Sequence, residues 1–149
     1  MAPFPRFCLP AALLGALAGS PALARDTLHL VPLKDVLEMP EAKAKLDGSV
    51  RFYLKGQKTP KVLEQFSEDS SNKKTNGVGK DDLQGCKRAA LSALIAFQDT
   101  ARQHKANAVI DLVSNYRKNV ATSATDIECH AGAIVIGVAL KGRYARVEP

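Results

Sequence analysis

The chain has 149 residues, of which 46% are hydrophobic and 24% charged, and its formal net charge at pH 7 is +6. This length suits one domain, and the basic residues are dispersed along the chain, with no long basic run of the kind that binds nucleic acid. With five Phe, three Tyr and no Trp, the sequence also has too few aromatic residues for stacking on bases or sugar rings.

Residues 1–24 have the three parts of a secretory signal peptide. Arg6 is their only charged residue, and an apolar stretch of about 13 residues follows it. That stretch is shorter than the ~20 residues that a membrane-spanning helix needs, and the segment ends in the small-x-small sequence Ala22-Leu23-Ala24. Signal peptidase is therefore predicted to cut after Ala24 and to leave Arg25 as the mature N-terminus.

Export predicts a mature protein, residues 25–149, that works outside the cytoplasm. Cys8 lies inside the apolar stretch and not directly after a cleavage site, so we expect neither a lipid anchor nor stable membrane insertion after cleavage. Removal of Arg6 leaves the mature chain basic, and a basic surface can attract anionic lipid or cell-wall polymer. The dispersed charge favours a solvated surface instead, and no nucleic-acid partner is expected outside the cytoplasm.

The first half of the mature chain alternates short strands and helical pieces. Alternating or β-rich patterns predict three strands, and the helical stretch between the first two is expected to break at Met39-Pro40 because proline interrupts a helix. The polar run 67–80 is rich in Ser, Asn, Lys and Gly, which predicts a long mobile loop. The expected segments are a strand at 27–31, helical pieces over 33–46, and strands at 50–55 and 61–66.

The second half predicts a long helix followed by a hairpin. Asp81 is an expected N-cap, with Gln84 completing a capping box, and apolar residues recur at spacings of three and four through about residue 105. Strands are expected at 108–116 and 127–147, with a polar tip between them. These segments predict a single α+β domain with a small, mostly antiparallel sheet and one long amphipathic helix packed on one face.

Two cysteines, Cys86 and Cys129, remain after cleavage. An even number of cysteines in an oxidising compartment predicts a disulfide; two free thiols or a metal-binding pair are the alternatives. Cys86 falls on the apolar face in the first turn of the helix. It can reach Cys129 if that turn lies over the beginning of the last strand.

The chain thus has a cysteine, an Ala-rich amphipathic helix, the segment Ala106-Asn107-Ala108-Val109-Ile110, a hairpin, a second cysteine and a small-residue apolar strand. Over about residues 81–142 this order resembles the RcsF/YbjQ-like family of bacterial envelope proteins. The resemblance implies the fold of that family, a periplasm of the Gram-negative type as compartment, and a disulfide in the positions of Cys86 and Cys129. It also implies sensing of envelope stress, the role of one member of that family. This chain lacks the lipid-accepting cysteine, the second disulfide and the long Pro-rich tail of that member.

No motif predicts a catalytic residue, a metal or a cofactor. The loop Gly77 to Asp81 has an acidic residue where a phosphate-binding loop needs Ser or Thr. The three histidines, His29, His104 and His130, have no metal-ligand spacing. His130 is adjacent to Cys129, but neighbours on a strand point to opposite faces and should not form a nucleophile–base pair.

We therefore expect a non-enzymatic periplasmic binding or envelope-stress-sensing module that acts through an envelope protein partner. Its working surface should comprise the polar segments 67–80 and 117–126, because loops on a rigid scaffold usually carry recognition. The candidate partner-binding residues are Lys73, Lys74, Arg117 and Lys118. The alternatives are a small envelope enzyme without a recognisable motif, and an immunity or inhibitor protein that blocks one periplasmic partner.

Overall fold

The structure is a computed structural model that describes residues 24–149. The predicted signal peptide lies outside these residues apart from its last residue, Ala24. The described elements, in chain order, are β1 (Thr27–Pro32), α1 (Leu33–Leu37), α2 (Pro40–Lys45), β2 (Arg51–Leu54), β3 (Val62–Asn76), α3 (Asp82–Gln103), β4 (Ala108–Tyr116), β5 (Asn119–Ala121), β6 (Asp126–Ala131) and β7 (Val135–Val147).

One mixed sheet of seven strands holds the fold together. Five strands follow the order β1-β6-β7-β4-β2, β3 pairs with β7, and β5 pairs with β4. All pairings are antiparallel except that of β2 with β4. The predicted α+β class and the mostly antiparallel pairing are confirmed, but the sheet is larger than the small one that we expected.

The predicted long helix is α3, which has 22 residues. Asp81 caps it, because its carboxylate accepts a hydrogen bond from the Gln84 backbone N–H at 2.9 Å. The helix ends at Gln103, two residues before the expected end, and Lys105 then takes a positive φ of 56° that no right-handed helix can accommodate. Its apolar face is buried against the sheet, chiefly through Ala90, Ala93, Leu94, Phe97 and Ala101.

Segment 67–80 is not the mobile loop that its composition predicts. Residues 67–76 continue β3, which forms a 15-residue strand and pairs with β7 along nearly its full length. The prediction was wrong because strand formation in this segment depends on the strand that pairs with it. The backbone N–H and C=O groups along one edge of β7 need hydrogen-bond partners, and a polar segment can supply them. Only the turn between Gly77 and Asp81 remains outside regular structure.

The predicted strand over 127–147 is two strands. β6 and β7 form a hairpin around Gly132, whose backbone N–H donates to the Val135 carbonyl at 2.8 Å. A Cβ at Gly132 would lie 3.1 Å from that carbonyl oxygen and 3.3 Å from the Arg25 carbonyl oxygen, so a larger residue would crowd this turn. The predicted polar tip over 117–126 likewise contains a short strand, β5.

Cys86 and Cys129 form a disulfide, as predicted, with their Cα atoms 5.7 Å apart. Cys86 lies near the start of α3 and Cys129 on β6, and neither has accessible surface. The bond therefore pins the first turns of the helix to the sheet. Such a bond is compatible with an exported protein. Within residues 24–149, no helix has the length and apolarity to span a membrane.

Candidate functional site

The two faces of the sheet differ because side chains alternate along each strand. On β7, Ile136, Val138 and Leu140 point toward α3 and belong to the main core. Gly137 and Lys141 occupy the alternating positions on the opposite face, which we call the outer face. On β6, Cys129 lies in the core and His130 on the outer face, which confirms the expectation that these neighbours point apart.

The turn between β4 and β5 carries two of the predicted partner-binding residues in an uncommon backbone conformation. Arg117 and Lys118 form a two-residue hairpin turn, with φ values of 51° and 64°. Such turns usually contain Asn-Gly, because a positive φ costs a residue with a Cβ about 1 kcal/mol or more. Arg117 and Lys118 therefore occupy two positions at which the backbone geometry favours Asn and Gly.

Arg117 and Lys74 share a cleft on the outer face with a volume of about 440 Å³, which we call the basic cleft. The residues that line it come from the N-terminal segment, from β3, from the β4–β5 hairpin and from the β6–β7 hairpin. They are Ala24, Arg25, Asp26, Lys74, Tyr116, Arg117, His130, Gly132, Val135 and Gly137.

The cations of the basic cleft are not neutralised equally. Arg25 forms an ion pair with Asp82, whereas Lys74 and Arg117 have no ion-pair partner within residues 24–149. The Arg117 guanidinium carbon lies 5.1 Å from the centroid of the Tyr116 ring, a cation–π distance. The stem of Lys74 lies over Gly137, since a Cβ there would be in ordinary van der Waals contact with the Lys74 Cγ, at 3.6 Å.

The rings of Tyr116 and His130 stack in the cleft, with centroids 3.5 Å apart and planes 9° from parallel. His130 Nδ1 lies 2.9 Å from the Asp26 carboxylate, so the N-terminal segment holds the imidazole in place. His130 Nε2 is buried and has no hydrogen-bond partner among the described residues; the nearest carboxylate oxygen, of Glu128, is 3.9 Å away. The imidazole is thus held by Asp26 on one side and stacked on Tyr116, with Nε2 turned away from solvent.

The structure separates the other two predicted partner-binding residues from this pair. Lys118 lines a neighbouring outer-face cleft of about 370 Å³ together with Glu68, Ser70 and Lys141. That cleft has mixed charge, because Lys141 pairs with Glu68 at 3.1 Å. Lys73 is half-buried on β3 and lines neither cleft. Whether any of the four residues binds a partner stays a prediction.

Sequence reasoning missed Tyr116, His130 and Asp26 as parts of one site. The local patterns place Tyr116 on a predicted strand. They raise His130 only as a candidate metal ligand or general base, and favour neither role. A signal was present in the alternation along β6, which puts His130 on the face opposite Cys129. Nothing local in the sequence could place Asp26 beside it, because β1 and β6 meet through pairing of distant segments.

A second region, a hollow of about 380 Å³ near α2 and β2, offers few polar groups. It is lined mainly by apolar side chains, including Leu37, Leu46 and Phe52. Among residues 24–149, no group of three or more His, Cys, Asp or Glu side chains is placed to hold a metal ion.

Comparisons with protein-family models, curated proteins and solved structures give no match for this chain.

Proposed function

We propose that the mature chain is an exported, non-enzymatic binding module that recognises an acidic surface of an envelope protein. The contact residues are Arg117 and Lys74 in the basic cleft and Lys118 at the hairpin tip beside it. The observation that carries the proposal is the turn itself: two cations occupy positions of positive φ, and Arg117 has no ion-pair partner among the described residues. Backbone strain concentrates where function requires a particular residue, and a two-residue turn fixes the backbone from which the two cations project.

Two further points support an extracytoplasmic role. The buried Cys86–Cys129 disulfide suits an oxidising compartment, and residues 1–24 have the pattern of a signal peptide. The resemblance to the RcsF/YbjQ-like family adds the hypothesis that the bound protein reports envelope stress. An immunity or inhibitor protein would use the same surface, and the identity of the captured partner distinguishes these roles.

The His130–Asp26 pair is the observation that bears on the alternative of an envelope enzyme. A carboxylate that orients an imidazole is the arrangement of a general base. Here, however, Nε2 of His130 is buried, and the hydrogen bond of the ring within residues 24–149 goes to Asp26, with none to a serine or cysteine. The pair therefore supports a binding surface better than a catalytic one.

In-cell crosslinking of the tagged, exported protein, followed by mass spectrometry, tests the proposal. The double variant Arg117→Glu/Lys118→Glu keeps the same backbone demand but reverses the charge, so it should lose the partner that the parent protein captures reproducibly. Lys55→Glu/Lys58→Glu is the matched control, because both lysines are exposed and line neither outer-face cleft. Capture by the control should equal that of the parent.

Melting temperature and export level are measured for every variant, so that misfolding is not read as lost binding. Because the contact is electrostatic, capture by the parent protein should also fall as ionic strength rises. A partner that persists in the Arg117→Glu/Lys118→Glu variant would contradict the assignment of the surface. The absence of any reproducible partner would contradict protein recognition and favour a small ligand or catalysis.

A further inference from the structure

One edge of strand β3 pairs with β7, and no other described strand pairs with its second edge. Between Glu68 and Asn76 β3 pairs with β7 in unbroken register, and an irregularity between Gln65 and Glu68 ends this regular stretch. An edge of this kind presents a row of unpaired backbone groups and is a template for another strand. Natural proteins protect such edges with charged residues, and the arrangement of the charges determines which strands are repelled.

Charged residues of opposite sign lie on the two sides of Ser71 along this edge. The segment reads Glu68-Asp69-Ser70-Ser71-Asn72-Lys73-Lys74, with two acids before the small polar residues and two lysines after them. In an antiparallel pair of two such segments, centred on Ser71, Glu68 faces Lys74 and Asp69 faces Lys73. A parallel pairing would instead place like charges opposite each other.

We propose that β3 pairs antiparallel with β3 of a second copy of this chain, with the two-fold axis at Ser71. Each of the two opposite-charge pairs then occurs twice, as symmetry requires of such an interface. Cross-strand pairs of opposite charge stabilise a sheet, and like charges destabilise it.

The charge pattern also selects the register. A slip of one residue would turn every side chain to the other face of the sheet. A slip of two residues, the smallest that preserves the ladder, places none of these acids opposite a lysine of the segment. The centred register is therefore the one that the charges favour.

The contacts within one chain leave the lysines available for this pairing. Glu68 is oriented by Lys141 at 3.1 Å, and Asp69 accepts a hydrogen bond from the Tyr144 hydroxyl at 2.8 Å. Among residues 24–149, neither Lys73 nor Lys74 has an ion-pair partner. The Lys74 stem is long enough to move its ammonium from the basic cleft to the facing strand.

Pairing across the edge would extend each sheet into one continuous sheet. The two-fold axis would lie perpendicular to that sheet, so both basic clefts would open on the same side. A dimer would thus present Arg117 and Lys118 of both copies to one partner or to two, while Lys74 takes part in the pairing.

Sedimentation equilibrium of the mature protein over a range of concentrations tests the proposal. The parent protein should form a dimer, and Lys74→Glu should weaken the dimer about tenfold or more, because the new carboxylate then faces that of Glu68 at both symmetry-related positions. This variant removes no ion pair within the described chain, so misfolding is not expected to mimic its effect. Lys58→Glu makes the same charge change away from β3 and should dimerise like the parent.

The decisive arm mixes two variants that should each dimerise more weakly than the parent, Lys74→Glu and Glu68→Lys. In the mixed pair each lysine again faces an acid, so equimolar mixing should restore a dimer that contains one copy of each. Melting curves check that Glu68→Lys is folded, since the new lysine lies near Lys141. A parent protein that is monomeric at every concentration, a Lys74→Glu variant that dimerises as tightly as the parent, or folded variants that fail to associate on mixing would each overturn the proposal.

Discussion

The two faces of β7 differ in what they contact. On the face toward α3, Ile136, Leu140 and Tyr144 are buried beneath the helix and belong to the main core. On the outer face, Lys141 pairs with Glu68, and Gly137 lies beneath the stem of Lys74. One strand thus contributes to the core on one side and to charged clefts on the other. Changes on the inner face should alter stability, and changes on the outer face should alter recognition or assembly.

The largest effect should come from the disulfide on the inner face. Replacing Cys86 and Cys129 by serine releases a loop with a sequence separation of 43, which should lower the free energy of unfolding by roughly 2–4 kcal/mol. Urea unfolding of the parent and double variant, each purified from the oxidising compartment, measures the difference. Equal unfolding midpoints, or free thiols in the parent protein, would contradict a stabilising bond.

A smaller effect is expected at Tyr144, which is 1% exposed and donates a hydrogen bond from its hydroxyl to Asp69 at 2.8 Å. Tyr144→Phe removes this bond and leaves Asp69 without its partner on the inner face, which should cost about 1–2 kcal/mol. Chemical unfolding at neutral pH measures the cost. Tyr53→Phe is the matched control, because no hydrogen bond of the Tyr53 hydroxyl is present in the described structure.

The same residue predicts a pH dependence. Burial, reinforced by the hydrogen bond to Asp69, raises the pKa of Tyr144 well above its ordinary value of 10.0. The folded state therefore favours the neutral phenol, so its stabilisation is complete below about pH 10 and declines as pH rises above that value. Unfolding measured between neutral and alkaline pH should show a steeper loss for the parent than for Tyr144→Phe. Parallel curves would contradict this assignment.

A substitution in the β4–β5 turn, on the outer face, should raise the free energy of unfolding instead of lowering it. Arg117→Asn/Lys118→Gly supplies the residues that the β4–β5 turn favours, so the protein should become more stable by about 1 kcal/mol or more. The same change should remove the proposed partner contact. Unfolding and crosslinking measured on one preparation test both effects; a loss of stability would contradict backbone strain at the turn, and retained capture would contradict its role in recognition.

Local patterns in the sequence were sufficient for the elements whose signals are local. The capping Asp81 and the spacing of apolar residues predicted α3, and Pro40 correctly predicted the break between α1 and α2. The cysteine count predicted the disulfide, since only two cysteines follow the proposed leader. These features depend on neighbours along the helix, on a proline ring or on the redox compartment.

Long-range pairing decided the rest. A polar segment, 67–76, became a strand because β7 supplied its hydrogen-bond partners, and composition alone could not reveal that partner. The basic cleft required Lys74, Arg117 and His130 to meet from three separate parts of the chain. The sequence by itself therefore determined the helix, its cap and the cysteine pair, because their causes are local. Only the tertiary structure decided the edge strand and the cleft, because both arise where distant strands meet.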